Sequence, residues 1–328
     1  MSIDKIEDVK NKVLDLLNAD ENKEWIERYS GYSRAILRNE ERILNIKSMF
    51  NEWSPLFVYM PVGEAASSGN TFQLRYKGQK VAALQLVKGD LFLKVDDETR
   101  KANKKYFNFT MNIDGKSWNS DEGTFFRNHF QEKEYNPRQY EHRIESLLLS
   151  EMEEKKKSNK QKTLIGIRPV KIVDKCRFQL CTPIAASDVA NIHYSKKSKG
   201  AIDILSRITS NYNTRLGVIE IKLDDNKQTL NTLIQCIAYT TFLRELLRSQ
   251  SGKEWYKIFG FNSELPSALQ INSIVVLGGG KEQFDSWGQS IKIESDSFVD
   301  TINLHYIFYK EENGQLEITK SSLGEESK

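Results

Sequence analysis

The stretch GVIEIKLDD at residues 217–225 decides the fold class. Its apolar residues alternate with Glu220 and Lys222, which is the pattern of a β-strand whose two faces differ. Side chains two positions apart share a face of a strand, so Glu220 and Lys222 point to one side while Ile219 and Ile221 point to the other. The apolar side predicts a buried core. The charged side is either an ordinary solvated face or a functional site.

The composition limits the classes of protein to consider. The chain has 328 residues, of which 39% are hydrophobic and 28% charged, as in globular proteins. No apolar run approaches the roughly 18 residues of a membrane span, and the N-terminus lacks the apolar segment of a signal peptide. We therefore expect a cytoplasmic protein with no membrane association. The net charge is only +3, so any nucleic-acid surface must be a local patch.

Residues 1–130 are expected to form a separate α+β domain. Helical spacing of apolar residues dominates residues 4–50. Three alternating stretches follow at residues 54–63, 71–95 and 106–113, and they are predicted to be short antiparallel strands. No motif in this part identifies its role, which we expect to be recognition of a substrate, a partner or a trigger.

Residues 131–328 are expected to form the second domain. A helix is predicted to start near Pro137, and four β-like runs follow between residues 163 and 223. A long amphipathic helix is predicted over residues 226–250, and a buried strand then ends at glycines 278–280. This order predicts an α/β fold with a mixed sheet flanked by helices.

Asp203 is expected to share a face of this sheet with Glu220 and Lys222. It is flanked by Ile202 and Ile204, and a polar loop joins its strand to the strand of Glu220. Two carboxylates at close range repel unless a cation lies between them, and such oxygen ligands suit Mg²⁺ or Mn²⁺. The neighbouring lysine could orient water or stabilise negative charge. A surface ion-pair cluster is the alternative interpretation.

Asp203, followed seventeen positions later by Glu220-Ile221-Lys222, resembles the PD-(D/E)XK nuclease superfamily. The predicted order helix–strand–strand–strand–helix–strand over residues 137–280 is also similar to the family core. The resemblance implies a restriction-endonuclease-like fold with a metal ion bound by Asp203, Glu220 and the backbone carbonyl of Ile221. It implies that Lys222 orients the attacking water. Ile202 departs from the family pattern, in which proline commonly precedes the aspartate.

Two further elements of the family pattern have matches. The family often has a glutamate on the helix before the first core strand, and Glu145 is the best match, with Glu141 one turn earlier. The resemblance implies that Glu145 completes the metal environment directly or through water. The RecB-type branch has a Q-x-x-x-Y motif, which Gln235 and Tyr239 match on one helical face. The alternative for Glu145 is an ordinary exposed glutamate on a helix. The alternative for Gln235 and Tyr239 is a small polar area on an otherwise buried helix face.

Three lysines precede the strand of Asp203 and could contact phosphates. They are Lys196, Lys197 and Lys199. Phosphate contacts from such lysines would make binding depend on salt. A solvated loop is the alternative.

The resemblance therefore implies a Mg²⁺- or Mn²⁺-dependent nuclease, with DNA expected rather than RNA. Prokaryotic defence is a common setting of the family, and for this chain it is an expectation by analogy of fold. One alternative is a non-catalytic nucleic-acid-binding module on the same scaffold, and another is a protein-interaction adaptor. Self-association, and a regulatory partner or ligand acting through residues 1–130, are left open by the sequence.

Overall fold

The chain folds as a mixed α/β structure. The computed structural model describes residues 3–43, 55–62, 71–136, 140–154, 161–172, 176–188, 190–197, 200–210, 213–223, 226–279, 289–295, 298–312 and 314–323. Across these ranges, no helix combines the length and the apolar composition that crossing a bilayer requires.

The described α-helices lie before the first strand and between later strands. They are α1 (Ile3–Asn18), α2 (Glu24–Arg38), α3 (Asp97–Phe107), α4 (Asp121–Glu132), α5 (Tyr140–Glu153), α6 (Asn226–Arg248) and α7 (Gly252–Ile258). Side-chain caps define two of the starts. The carboxylate of Asp96 accepts a hydrogen bond from the Thr99 amide at 2.7 Å, and Ser120 accepts one from the Gly123 amide at 3.1 Å.

The strands are mostly short. They are β1 (Leu56–Val62), β2 (Thr71–Tyr76), β3 (Gln79–Val87), β4 (Asp90–Lys94), β5 (Ile167–Pro169), β6 (Lys171–Ile172), β7 (Cys176–Thr182), β8 (Ile184–Ala186), β9 (Ile192–Tyr194), β10 (Gly200–Ala201), β11 (Ile204–Ser210), β12 (Asn213–Lys222), β13 (Gln270–Gly278), β14 (Ser290–Glu294), β15 (Val299–Glu312) and β16 (Gln315–Ser321). The strand predicted over residues 106–113 is wrong. Its first two residues end α3, which the Asp96 cap starts, and residues 108–113 lie in no strand.

The first sheet has the strand order β10-β7-β1-β2-β3-β4, and β6 pairs with β7. β1 to β4 form an antiparallel meander, and β1 pairs in parallel with β7 through Tyr59 opposite Arg177. This sheet therefore contains strands from both sides of the domain boundary predicted near residue 130. Alternation within each strand predicts strands but carries no information on which distant strand becomes the neighbour.

The second sheet has the strand order β14-β15-β13-β12-β11-β5, and β16 pairs with β15. β5, β11 and β12 are antiparallel neighbours, whereas β12, β13 and β15 run parallel. Parallel neighbours need a long crossover, and α6 and α7 lie in the connection from β12 to β13. α6 packs against these two strands and, on its other side, against α1.

The chain passes from one sheet to the other at Ile202 and Asp203. Immediately before them, β10 pairs with β7 in the first sheet, and immediately after them β11 pairs with β12 in the second. Ile202 is fully buried and anchors this crossing in the core. Asp203 is consequently held between two elements that belong to different sheets.

α5 lies over one face of the second sheet. Its residues Ile144 and Leu148 join the same apolar cluster as Ile219 and Ile221 of β12. The opposite face of β12 packs under α6, with Val218 in the larger cluster that also contains Val9 of α1. Both faces of β12 are thus covered, and the predicted burial of Ile219 and Ile221 is confirmed.

Candidate functional site

Asp203 and Glu220 are joined by reciprocal contacts with the backbone. The amide of Asp203 lies 3.3 Å from Oε1 of Glu220, and the amide of Ile221 donates to Oδ2 of Asp203 at 2.9 Å. The register of β11 and β12, with Ile204 opposite Ile219, explains this because the next residue pair outward is Asp203 and Glu220. The expectation that these two carboxylates come together is confirmed.

Both carboxyl groups have raised pKa values. Burial raises the pKa of Asp203 from its usual 3.8 to about 7, and the negative charge of Glu145 adds to this effect. Burial also raises the pKa of Glu220 well above its ordinary value, and Asp203 is the next contributor. Ionising both carboxyl groups in one low-dielectric site costs much free energy unless a cation lies nearby. The pair is therefore electrostatically suited to bind one.

Lys222 lies at the end of β12, on the same face as Glu220. Its Nζ donates to Oε2 of Glu141 on α5 at 3.0 Å. Burial lowers the pKa of this amine, but Glu141 and then Asp203 outweigh burial, and the net shift is upward. Lys222 therefore carries a positive charge next to the two carboxylates, while Glu141 fixes the direction of its side chain.

Glu145 is buried, and it is held by two basic groups rather than exposed on its helix. Its Oε1 lies 3.9 Å from Nη1 of Arg75, and its Oε2 lies 3.5 Å from Nδ1 of His142. A carboxylate that is 4% exposed requires such partners. Its charge raises the pKa of both Asp203 and Glu220, so Glu145 acts electrostatically on the site.

Arg75 is the functional candidate that sequence reasoning missed. It lies on β2, and its Nη2 donates to the side-chain oxygens of Gln73 at 2.7 Å and Gln179 at 2.6 Å. Its guanidinium carbon lies 4.3 Å from the centre of the Tyr59 ring. These contacts fix a nearly buried guanidinium beside Glu145. The signal in the sequence is weak: Arg75 is the one charged residue of β2.

Tyr239 lies beneath the carboxylates, not on a surface. It is 4% exposed, and burial followed by the charges of Glu220 and Asp203 raises its pKa strongly, while a hydrogen bond with the backbone of Ala186 opposes that shift. The predicted contact between Tyr239 and a nucleic-acid backbone does not fit this burial. Gln235 lies one turn earlier on the same helix and is half-buried.

The predicted phosphate-binding lysines do not converge on the carboxylates as a group. Lys196 is exposed, its Nζ lies 3.5 Å from Oε2 of Glu24, and its carbonyl accepts a hydrogen bond from Arg28. Lys197 is also exposed. Lys199 lies outside the described residues. Lys196 is thus tied to α2 rather than directed at the carboxylates.

The fit of this site to a metal ion depends on its oxygen donors. Over the described ranges, no group of three or more His, Cys, Asp or Glu side chains is arranged to hold one. Asp203 and Glu220 supply two carboxylates, and hard cations such as Mg²⁺ commonly take one or two protein carboxylates and fill the remaining positions with water and substrate oxygens. Glu145 is engaged by Arg75 and His142, and its predicted place in the metal environment stays a prediction. The residues present therefore fit a two-carboxylate site.

Comparison with known proteins gives no assignment: no family model, no curated protein and no solved structure matches this chain.

Proposed function

We propose that this protein is a metal-dependent nuclease of the PD-(D/E)XK type, acting on DNA. The observation that carries the proposal is the close pair of Asp203 and Glu220, joined through backbone contacts, with the charged amine of Lys222 beside it. Both carboxyl pKa values are raised by burial, so stability alone is a poor reason to keep the two acids together. Strongly shifted groups of this kind cluster at functional sites.

The order and pairing of the surrounding elements support a restriction-endonuclease-like core. α5 precedes β5, and β5, β11 and β12 follow as antiparallel neighbours. α6 then leads to β13, which lies parallel to β12. This agrees with the helix–strand–strand–strand–helix–strand order on which the resemblance rests, although β6 to β10 are inserted between its first two strands. The role in prokaryotic defence stays a prediction.

In this proposal Asp203, Glu220 and the backbone carbonyl of Ile221 hold Mg²⁺ or Mn²⁺. When bound, such an ion supplies a water of lowered pKa and neutralises charge on a phosphoryl group. The ammonium of Lys222 orients the attacking water or the developing negative charge. Glu141 keeps that ammonium in place by its 3.0 Å hydrogen bond. Arg75 and His142 hold Glu145, whose charge adds to the field that attracts a cation.

The test is cleavage by the purified protein in Mg²⁺ or Mn²⁺, with EDTA as the metal-free control. The substrates are plasmid DNA, linear duplex, single-stranded DNA and RNA. We expect metal-dependent cutting of DNA that falls by about 10²–10³ in Lys222→Ala, as for the loss of one charge-stabilising group. Lys310→Ala, an exposed lysine on β15, is the matched control and should cut normally.

A second readout does not depend on activity. Calorimetric titration with Mn²⁺ should detect binding to the wild-type protein and none to Asp203→Asn. Cutting that persists in Lys222→Ala would contradict the proposed site. Absence of both cutting and Mn²⁺ binding in the wild type would contradict the proposed function.

A further inference from the structure

A cleft of about 540 Å³ opens between β3, α3 and α5. Its basic lining consists of Lys80, Lys101, Lys105 and His142. The volume is within the range of ordinary ligand sites, but its walls are about equally polar and apolar and carry several charged side chains. Such a lining favours an anionic and extended ligand over an apolar small molecule.

We propose that this cleft binds the phosphodiester backbone of the nucleic acid on one side of the bond that is cut. The proposal rests on the proposed function and deepens it. It gives the segment before residue 130 a role in holding substrate, since α3 and β3 both belong to that segment. We call this cavity, with its four basic residues, the phosphate cleft.

The position of His142 connects the phosphate cleft to the active site. His142 lines the cleft, and its Nδ1 lies 3.5 Å from Oε2 of Glu145. The preceding residue, Glu141, accepts the hydrogen bond from Lys222. One turn of α5 therefore borders the cleft with one side chain and the catalytic lysine with another.

Two lysines of α3 form one wall of the phosphate cleft. Lys101 and Lys105 are four residues apart and exposed, so they share a helix face with Cβ atoms about 5–6 Å apart. In the described part of the chain, neither is ion-paired with an acidic side chain. Tyr106 also lines the cleft and is half-buried, and the Nζ of Lys105 lies 5.1 Å from the centre of its ring. A row of cations beside an aromatic ring suits a nucleic-acid strand.

The acidic residues of the lining do not cancel this charge. Asp96 is paired with Lys80 at 2.6 Å, and the Lys80 bond and the Thr99 amide outweigh burial to hold its pKa at about 2. Glu98 is the second acid of the lining and is exposed. With the Lys80–Asp96 pair neutral, Lys101 and Lys105 outnumber Glu98. Glu98 therefore opposes phosphate binding, and its removal provides a variant with the opposite expected effect.

The experiment measures anisotropy of a labelled DNA oligonucleotide, single-stranded and duplex, bound by the full chain in EDTA. Lys101→Glu and Lys105→Glu should each weaken binding about tenfold, the equivalent of roughly 1.4 kcal/mol. Lys104→Glu is the matched control, because Lys104 is exposed, adjacent to Lys105 and outside the cleft lining. It should leave affinity nearly unchanged. Glu98→Gln should tighten binding, a result that misfolding cannot produce.

Salt dependence gives an independent readout. Lys105→Ala should reduce the slope of log affinity against log salt by about 0.7 for a single strand and about 0.9 for a duplex. Lys104→Ala should not change it. Equal weakening by Lys104→Glu and Lys105→Glu would overturn the cleft proposal, as would a wild-type protein that binds no nucleic acid.

The two proposals fail in different ways. Normal binding by the cleft variants, in a protein that cuts DNA, would overturn the cleft and leave the nuclease function standing. Binding that depends on the cleft, in a protein that cuts nothing and binds no Mn²⁺, would overturn the nuclease function and leave the cleft standing.

Discussion

The backbone amide of Asp203 donates a hydrogen bond of 3.3 Å to the side chain of Glu220. The contact brings a residue at the crossing between two sheets against a residue in the middle of one of them. It also sets two carboxyl groups close together, which is the electrostatic feature on which the proposed metal site depends.

The pH dependence of stability should report this pair. Burial raises the pKa of Asp203 from 3.8 to about 7, so between these values the folded state binds more protons than the unfolded state. The free energy of unfolding then falls as pH rises from about 4 to about 7. In EDTA, the wild-type melting temperature should drop over this interval relative to Asp203→Asn, by on the order of 2–4 °C for each kcal/mol. Parallel pH profiles would contradict the raised pKa.

A pair of glycine substitutions tests the contact between the first sheet and α5. Gly78, between β2 and β3, has a φ of +81°, and Gly89, between β3 and β4, has a φ of +94°. Of these two, only Gly78 has a neighbour close to the place of a Cβ, the carbonyl oxygen of His142 at 2.4 Å. Gly89→Ala should cost only the backbone strain, about 1 kcal/mol or somewhat more. Gly78→Ala should cost at least about 1 kcal/mol beyond that. Urea denaturation measures both, and equal losses would argue against the close packing at His142.

A double-mutant cycle tests the link between Arg75 and Glu145. Both side chains are nearly buried, so removing either alone leaves a charge without its partner and should cost about 3–5 kcal/mol. Arg75→Gln with Glu145→Gln should therefore be less destabilising than the sum of the single changes, with a coupling of about 0.5–3 kcal/mol. Denaturant unfolding of the four proteins gives the value. Additive effects would show that the 3.9 Å contact contributes nothing.

Asp300 should be one of the most sensitive acidic residues for stability. It is 1% exposed, and it accepts hydrogen bonds from Arg244 at 2.7 Å, from Arg248 at 2.5 Å and from the Leu269 amide at 2.8 Å. Burial raises its pKa, but Arg248 and the Leu269 amide outweigh burial and hold the pKa below its usual value. Asp300→Asn removes the carboxylate that the buried Arg244 and the half-buried Arg248 share, and it should cost about 3–5 kcal/mol.

The control for Asp300 is Asp90→Asn, since Asp90 is exposed at the start of β4. It should change the free energy of unfolding by less than about 0.5 kcal/mol. Thermal denaturation at neutral pH measures both variants. Similar melting temperatures for the two would mean that the Asp300 network stabilises nothing.

The sequence predicts well where contacts are local. Alternation alone assigns Glu220 and Ile221 to opposite faces, and the short polar loop after β11 predicts its antiparallel pairing with β12. These two inferences are sufficient to bring Asp203 and Glu220 together. The helix that carries Glu145 also follows from its apolar spacing.

The sequence does not predict contacts that depend on distant pairings. Arg75 lies on β2 and Glu145 on α5, and neither alternation nor helical spacing predicts that these two elements meet. The sequence also does not predict the break between β10 and β11. The stretch GAIDILSRI at residues 200–208 has the pattern of one strand, although its two ends pair in different sheets. Helical spacing likewise does not show that Glu145 is buried, because its contact with Arg75 involves a strand that is distant in the sequence.

The parallel pairing of β1 with β7 also constrains how the chain can be made. Residues 56–94 can form their meander as soon as they leave the ribosome, since their contacts are local. The outer edge of β1 must wait until residue 182 has been synthesised, because β7 ends there. During that interval the nascent chain carries an unpaired strand edge, the type of surface that invites aggregation. The β1 edge is therefore the part of the meander most in need of protection during synthesis.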